Sequence, residues 1–104
     1  MINTPDGRYF IVKGQLWRST NPALEEDERQ RWVNALMDAR RAVKAAKASG
    51  DASALKDARR DVQQAKVALG ERGPIWWSDG SPDFNRCQVK NTPYAGWFEK
   101  HFDT

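Results

Sequence analysis

Nine side chains suited to ligand chemistry stand out in this sequence, and eight of them lie close together. The eight are Trp76, Trp77, Asp79, Asp83, Asn85, Arg86, Asn91 and Tyr94, in a stretch that runs from Gly73 to Trp97. The ninth is Arg18, just after Trp17. An indole flanked by arginine and asparagine can stack a base while the guanidinium holds a phosphate. Trp76 and Trp77 are consecutive, so on a strand they would point to opposite faces. One of them is then exposed or lines a groove, unless both faces are covered. Asp79, Asp83 and Asn85 could hold a hard cation such as Mg²⁺ or Ca²⁺. The four-residue separation across Gly-Ser-Pro matches no EF-hand loop, however, and Asp and Asn are the usual turn and cap residues. Capping is therefore the simpler reading, and neither a metal nor a cofactor is expected.

The other reactive types point away from catalysis. His101 is the single histidine and has no nucleophile motif and no orienting partner in the sequence. Cys87 is the single cysteine. It excludes an intrachain disulfide and a cysteine-based zinc site, and it reads as an inert thiol. An enzyme using Asp79 or Asp83 as acid or base ranks last, because no recognised catalytic spacing is present.

The elements that must position these residues are dominated by one scaffold, Leu24 to Gly70. Trp32, Leu36, Ala39, Val43 and Ala46 recur at spacings of four and three, and so do Leu55, Ala58, Val62, Ala65 and Leu69. Each set is a stripe on one face of a helix. Paired antiparallel, the stripes match as Ala46/Leu55, Val43/Ala58, Ala39/Val62, Leu36/Ala65 and Trp32/Leu69. Nearly every layer sets a large residue against an alanine, which lets two helices interdigitate closely. Helices are predicted at about 24–48 and 53–69, joined by Ser49-Gly50-Asp51-Ala52-Ser53. Asn21-Pro22 reads as the start of the first helix, followed by acidic Glu25–Glu28 near its positive end. Gly70 is the expected left-handed stop of the second helix.

Before this scaffold, residues 8–12 and 15–19 read as a β-hairpin turned at Lys13-Gly14, which pairs Phe10 with Trp17 and Ile11 with Leu16. Residues 75–78 are assigned as a third strand, Ser81-Pro82-Asp83 as the start of a short helix to about Val89, and Thr92-Pro93 as the start of a terminal helix. The fold class is α+β in one domain over 1–104: a long antiparallel helical hairpin packed with a small antiparallel sheet and short C-terminal helices.

The chain has 104 residues, 39% hydrophobic and 30% charged, with a net charge of +3. No apolar run approaches the roughly 18 residues that span a bilayer, and the N-terminus has no signal-peptide pattern. A cytoplasmic location and no membrane partner are expected. The charge is uneven. Residues 38–66 hold eight basic and four acidic groups, whereas the flanking parts are nearly balanced. The excess sits on the helical hairpin. Arg40, Arg41, Lys44, Arg59 and Arg60 are candidate phosphate contacts there. The simpler alternative is a solvated face of mixed charge.

Pro-Asp-Gly-Arg-Tyr at 5–9, Trp17-Arg18, Asn21-Pro22, Gly73-Pro74-Ile75-Trp76-Trp77, Asp79-Gly80 and Asn91-Thr92-Pro93-Tyr94 together resemble a group of small bacterial proteins. The likeness covers almost the whole chain and implies no particular activity. Similar sequences sometimes carry a Tol-type biopolymer-transport label, which a chain without a membrane segment does not support.

The leading expectation is a non-enzymatic binding protein for DNA, RNA or a nucleotide-like anion. It would use the basic hairpin and the Trp/Arg/Asn-rich segment held at the hairpin's open end. The alternative is a protein–protein adaptor or homodimer built on the helices, with Val33, Met37 and Val67 as contact residues.

Overall fold

The computed structural model describes residues 2–102, with Phe102 described by its backbone alone. Strands β1 (Ile2–Asn3), β2 (Tyr9–Val12) and β3 (Gln15–Arg18) are followed by helices α1 (Glu26–Ser49) and α2 (Ala52–Ala68). A 3-10 turn at Val89–Asn91 and helix α3 (Ala95–Phe102) complete the chain. The architecture is α+β. Internal contacts divide it into two compact units. One is the helical hairpin, Thr20–Trp76. The other gathers the chain up to Ser19 and from Trp77 onward.

The hairpin follows from its alanine-layered stripes. Leu36, Ala39 and Ala46 are buried on α1, and Ala58 and Ala65 on α2. Leu36, Ala65 and Leu69 form its core, with Leu24, Trp32, Val33 and Val62 packed against them. Val33 therefore faces inward, while Met37 and Val67 are exposed. Burying a leucine such as Leu69, which is fully covered, contributes about 2 kcal/mol. The turn works as the residue types require. Gly50 is left-handed and closes α1 through its N–H to Lys47 and Ala46 carbonyls. The Asp51 side chain accepts the Ala54 N–H at 3.0 Å and caps α2.

The start of α1 differs from the expectation. Asn21 does not cap it: its Oδ1 accepts the Ala23 N–H at 2.9 Å and closes a tight turn. The helix begins one turn later, after Glu25, with no side-chain cap. The Asn21 N–H instead donates to the Leu69 carbonyl at 2.8 Å, tying the entry of the hairpin to its exit.

In the sheet unit, β2 and β3 pair with Phe10 opposite Trp17 and Ile11 opposite Leu16, as predicted. Lys13 and Gly14 both have positive φ, 52° and 75°, the signature of a two-residue type I′ turn. The third strand is not residues 75–78. Ile2–Asn3 takes that place against β2. The predicted helix from Ser81 to Val89 is also absent, and residues 77–88 form an irregular segment. The reason lies in their side chains. Asp79 accepts the Ser81 N–H and Asp83 accepts the Asn85 N–H, each two residues on. Such Asx turns satisfy the backbone locally and compete with both strand and helix.

That segment nevertheless closes the free edge of β3. The Leu16 N–H donates to the Cys87 carbonyl at 2.9 Å, the Arg86 N–H to the Leu16 carbonyl at 2.7 Å, and the Val89 N–H to the Gly14 carbonyl at 2.9 Å. Thr92 leads into α3. Its hydroxyl donates to the Val89 carbonyl at 2.8 Å and accepts the Tyr94 N–H at 3.3 Å. Among the described residues no helix is long and apolar enough to cross a membrane.

Candidate functional site

Most of the Gly73–Trp97 segment is occupied in holding the sheet unit together. Trp77 is buried, with its indole N–H donating to the Ser81 carbonyl at 2.8 Å. Its ring meets Tyr9 edge-on at 5.7 Å, and the Arg8 guanidinium lies 5.0 Å from its centroid. Trp77 is therefore core and not a stacking platform, a correction to the sequence reading. Trp76 belongs to the hairpin unit and is half-buried, with Gly70 beneath it. The two tryptophans thus do not flank one strand.

The acidic pair is equally engaged. Asp79 is ion-paired with Arg8 and also accepts the Ser81 N–H. These hydrogen bonds hold its carboxyl below the usual range, the backbone donor contributing most. Asp83 pairs with Arg18 at 3.0 Å and accepts the Asn85 N–H at 2.9 Å. The Asn85 Oδ1 accepts the Arg18 backbone N–H at 2.9 Å. Each of the two carboxylates is thus engaged by one local backbone N–H and one guanidinium group. Among the described residues no cluster of three or more His, Cys, Asp or Glu is placed to hold a metal. His101 stacks on Trp97 at 5.7 Å.

The hub of this network is Tyr9, which the sequence reading left out. It is fully buried and packs edge-on or tilted against Trp77, Tyr94 and Phe84. Its hydroxyl accepts the Phe84 N–H at 2.8 Å. Burial raises its pKa. Tyr94 donates its hydroxyl to Asp6. Burial first, and then the bond to the Asp6 carboxylate, raise the Tyr94 pKa far above the ordinary phenol. For Asp6, burial works upward but is outweighed by hydrogen bonds from Tyr94, Thr4 and the Arg8 N–H, so its pKa falls.

Four of the segment's candidates are exposed: the ion-paired Asp79 and Asp83, and Arg86 and Asn91. Arg86 lines a cleft of about 430 Å³ in the sheet unit, together with Lys13, Gln15, Gln88, Lys90 and Phe98. No sequence pattern joins these residues. They meet because the 86–89 strand-like segment lies along β3.

On the helical hairpin, Arg40, Arg41, Lys44, Arg59 and Arg60 are all exposed. Arg41 pairs with Asp38 and Arg60 with Asp57, each three residues away on its own helix. Arg40 and Arg59 make no ion pair among the described residues. They converge, with Arg72, on a groove of about 390 Å³ floored by Val43 and Val62. Arg72 also donates to the Gln63 side chain at 2.8 Å. It lies past the end of α2, so helical periodicity could not have linked it to Arg40 and Arg59. A second groove of the same size, lined by Trp32, Asp38, Ala39, Asp61 and Gln64 among others, lies on the other side of the helix seam. The hairpin therefore carries one groove lined by three arginines and one lined by Asp61 and the Arg41-paired Asp38.

Comparison with protein-family models, with curated proteins and with solved structures finds no significant match.

Proposed function

We propose that this chain is a non-enzymatic binding protein for nucleic acid or a nucleotide-like anion, and that the basic groove of the helical hairpin carries the binding. The observation that supports this most is the convergence of Arg40, Arg59 and Arg72 from three places in the sequence on one groove with an apolar floor. Guanidinium groups bind phosphate oxygens in a planar, two-point fashion. The Val43 and Val62 surface offers a face on which a base or sugar can rest. Lys44 lies one turn along α1 from Arg40, where it can extend the track. The helix backbones that carry Arg40 and Arg59 are formed without ligand, and ordering each exposed arginine side chain costs about 0.5–1.5 kcal/mol.

Labelled single-stranded DNA and RNA titrated against the protein and against an R40E/R59E variant test this reading. Binding lost in the variant supports the groove, and binding retained removes it.

A second reading, self-association through the hairpin, is favoured by the arginine-lined groove and the groove lined by Asp38 and Asp61. Two copies would offer each other complementary surfaces, with exposed Met37 nearby in sequence. A molar mass that rises with concentration at low salt, and falls back with added salt, would separate this reading from the first.

A further inference from the structure

We propose that the cleft at the hairpin turn of the sheet unit is a second, separate binding site, built for a small phosphate monoester with an apolar or aromatic body. This does not rest on the groove between the helices.

Three observations carry it. First, three cations, Lys13, Arg86 and Lys90, line one cleft of about 430 Å³, a volume in the range of small-ligand sites. None of the three forms an ion pair among the described residues, and no carboxylate lines the cleft. Clustered like charges repel unless an anion joins them. Second, Lys13 and Arg86 are the two non-glycine residues with positive φ among the described residues, 52° and 71°. Lys13 takes it in the type I′ hairpin turn and Arg86 in a turn closed by the Cys87 N–H on the Phe84 carbonyl at 3.0 Å, so turn geometry fixes the backbone of both before any ligand arrives. Here both instances are cations of the same cleft. Third, the walls are fixed before any ligand arrives. The Arg86 N–H donates to the Leu16 carbonyl at 2.7 Å, and the Arg86 carbonyl accepts the Gln15 side-chain N–H at 2.9 Å. The Val89 N–H holds the Gly14 carbonyl at 2.9 Å.

The chemistry of the lining assigns the parts of the ligand. Arg86, Lys13 and Lys90 suit a dianionic phosphate. Gln88 offers an amide for a hydroxyl or ester oxygen. Phe98 gives an apolar wall for the organic group. Inorganic phosphate alone would use only half of this lining.

The test uses the folded chain and phenyl phosphate, with inorganic phosphate and phenol as comparison probes, followed by amide NMR shifts at low salt. Phenyl phosphate should shift Gly14, Gln88 and Lys90 saturably and bind about tenfold more tightly than inorganic phosphate. Phenol should produce no saturable shift at these residues. Arg86→Gly separates function from folding. Glycine accepts the left-handed backbone, so the variant should keep its spectrum and thermal midpoint while losing roughly tenfold or more in phenyl phosphate affinity. The R40E/R59E variant should show the same saturable shifts at Gly14, Gln88 and Lys90 as the parent. Absence of saturable shifts at Gly14, Gln88 and Lys90, or undiminished binding in folded Arg86→Gly, would overturn the proposal. Loss of the shifts at Gly14, Gln88 and Lys90 in R40E/R59E would do the same, since those shifts would then report on the helices.

Discussion

The Arg18 side chain, at the end of β3, is only 1% exposed, and its guanidinium is held by the Asp83 carboxylate at 3.0 Å, across 65 residues of sequence. Asp83 keeps about two-fifths of its own side chain in solvent. The pair fixes the irregular segment against the sheet from the sheet side. Asp83→Ala leaves a buried charge with one partner fewer and also removes the Asn85 turn bond. The expected loss is about 2 kcal/mol, below that of a fully buried pair because Asp83 is partly hydrated. A chemical-denaturation midpoint measures it. Asp83→Asn keeps the turn acceptor and should cost less.

Both tyrosines of the chain have raised pKa values in the fold. The folded state then holds both phenolic protons more tightly than the unfolded chain does. The stability this contributes is fully present below the ordinary phenol value of about 10 and is lost as pH rises beyond it. Tyrosinate absorbance at about pH 10 should be lower in the native protein than in denaturant, where it reaches half its full value. Asp6→Asn removes the carboxylate beside Tyr94 and should let that tyrosine titrate at lower pH than in the parent.

Asp6 has the opposite sign. Its folded pKa lies below its ordinary 3.8, so its contribution is present above that value and is lost as pH falls through the lower folded one. Acid unfolding of the sheet unit, followed by near-UV circular dichroism, should begin at higher pH in Tyr94→Phe, which removes a hydrogen bond that lowers the Asp6 pKa, whereas Asp6→Asn removes this titration altogether.

Gly50 and Gly70 both have positive φ, 71° and 82°, but their surroundings differ. A Cβ at Gly50 would meet nothing within 4 Å, whereas one at Gly70 would lie 3.0 Å from both Asn21 Cβ and Trp76 Cδ1. Gly50→Ala should therefore cost only the left-handed conformation, about 1 kcal/mol. Gly70→Ala adds the displacement of two neighbours and should cost about 2–3 kcal/mol. Comparing the two variants by thermal denaturation isolates the packing part.

The legibility of this chain varied with the range of the interactions. The helical hairpin was written into spacing: Leu36, Ala65 and Leu69 fall where the matched stripes put them, because helix periodicity repeats over many residues. The register of Phe10 with Trp17 was readable because Lys13-Gly14 leaves room for only one turn. Ile2–Asn3 was missed because two residues carry no periodic signal. The 75–78 strand was over-read from a short apolar run. There, Asp79 and Asp83 turn the backbone onto its own neighbours. The cleft residues Lys13, Gln15, Gln88, Lys90 and Phe98 come together through an edge pairing between Gln15 and Gln88, which no local pattern encodes.

Fluorescence anisotropy of labelled single-stranded DNA and RNA, read at about 50 and 200 mM salt for the parent and R40E/R59E, tests the central claim most directly. Three arginine–phosphate contacts predict a log–log salt slope near −2, so the parent should bind at the lower salt and weaken roughly fifteen-fold or more at the higher. The variant, whose substitutions lie on exposed helix positions, should stay folded and lose at least about tenfold at low salt. No binding by the parent at low salt, or equal binding by parent and variant, would contradict the claim.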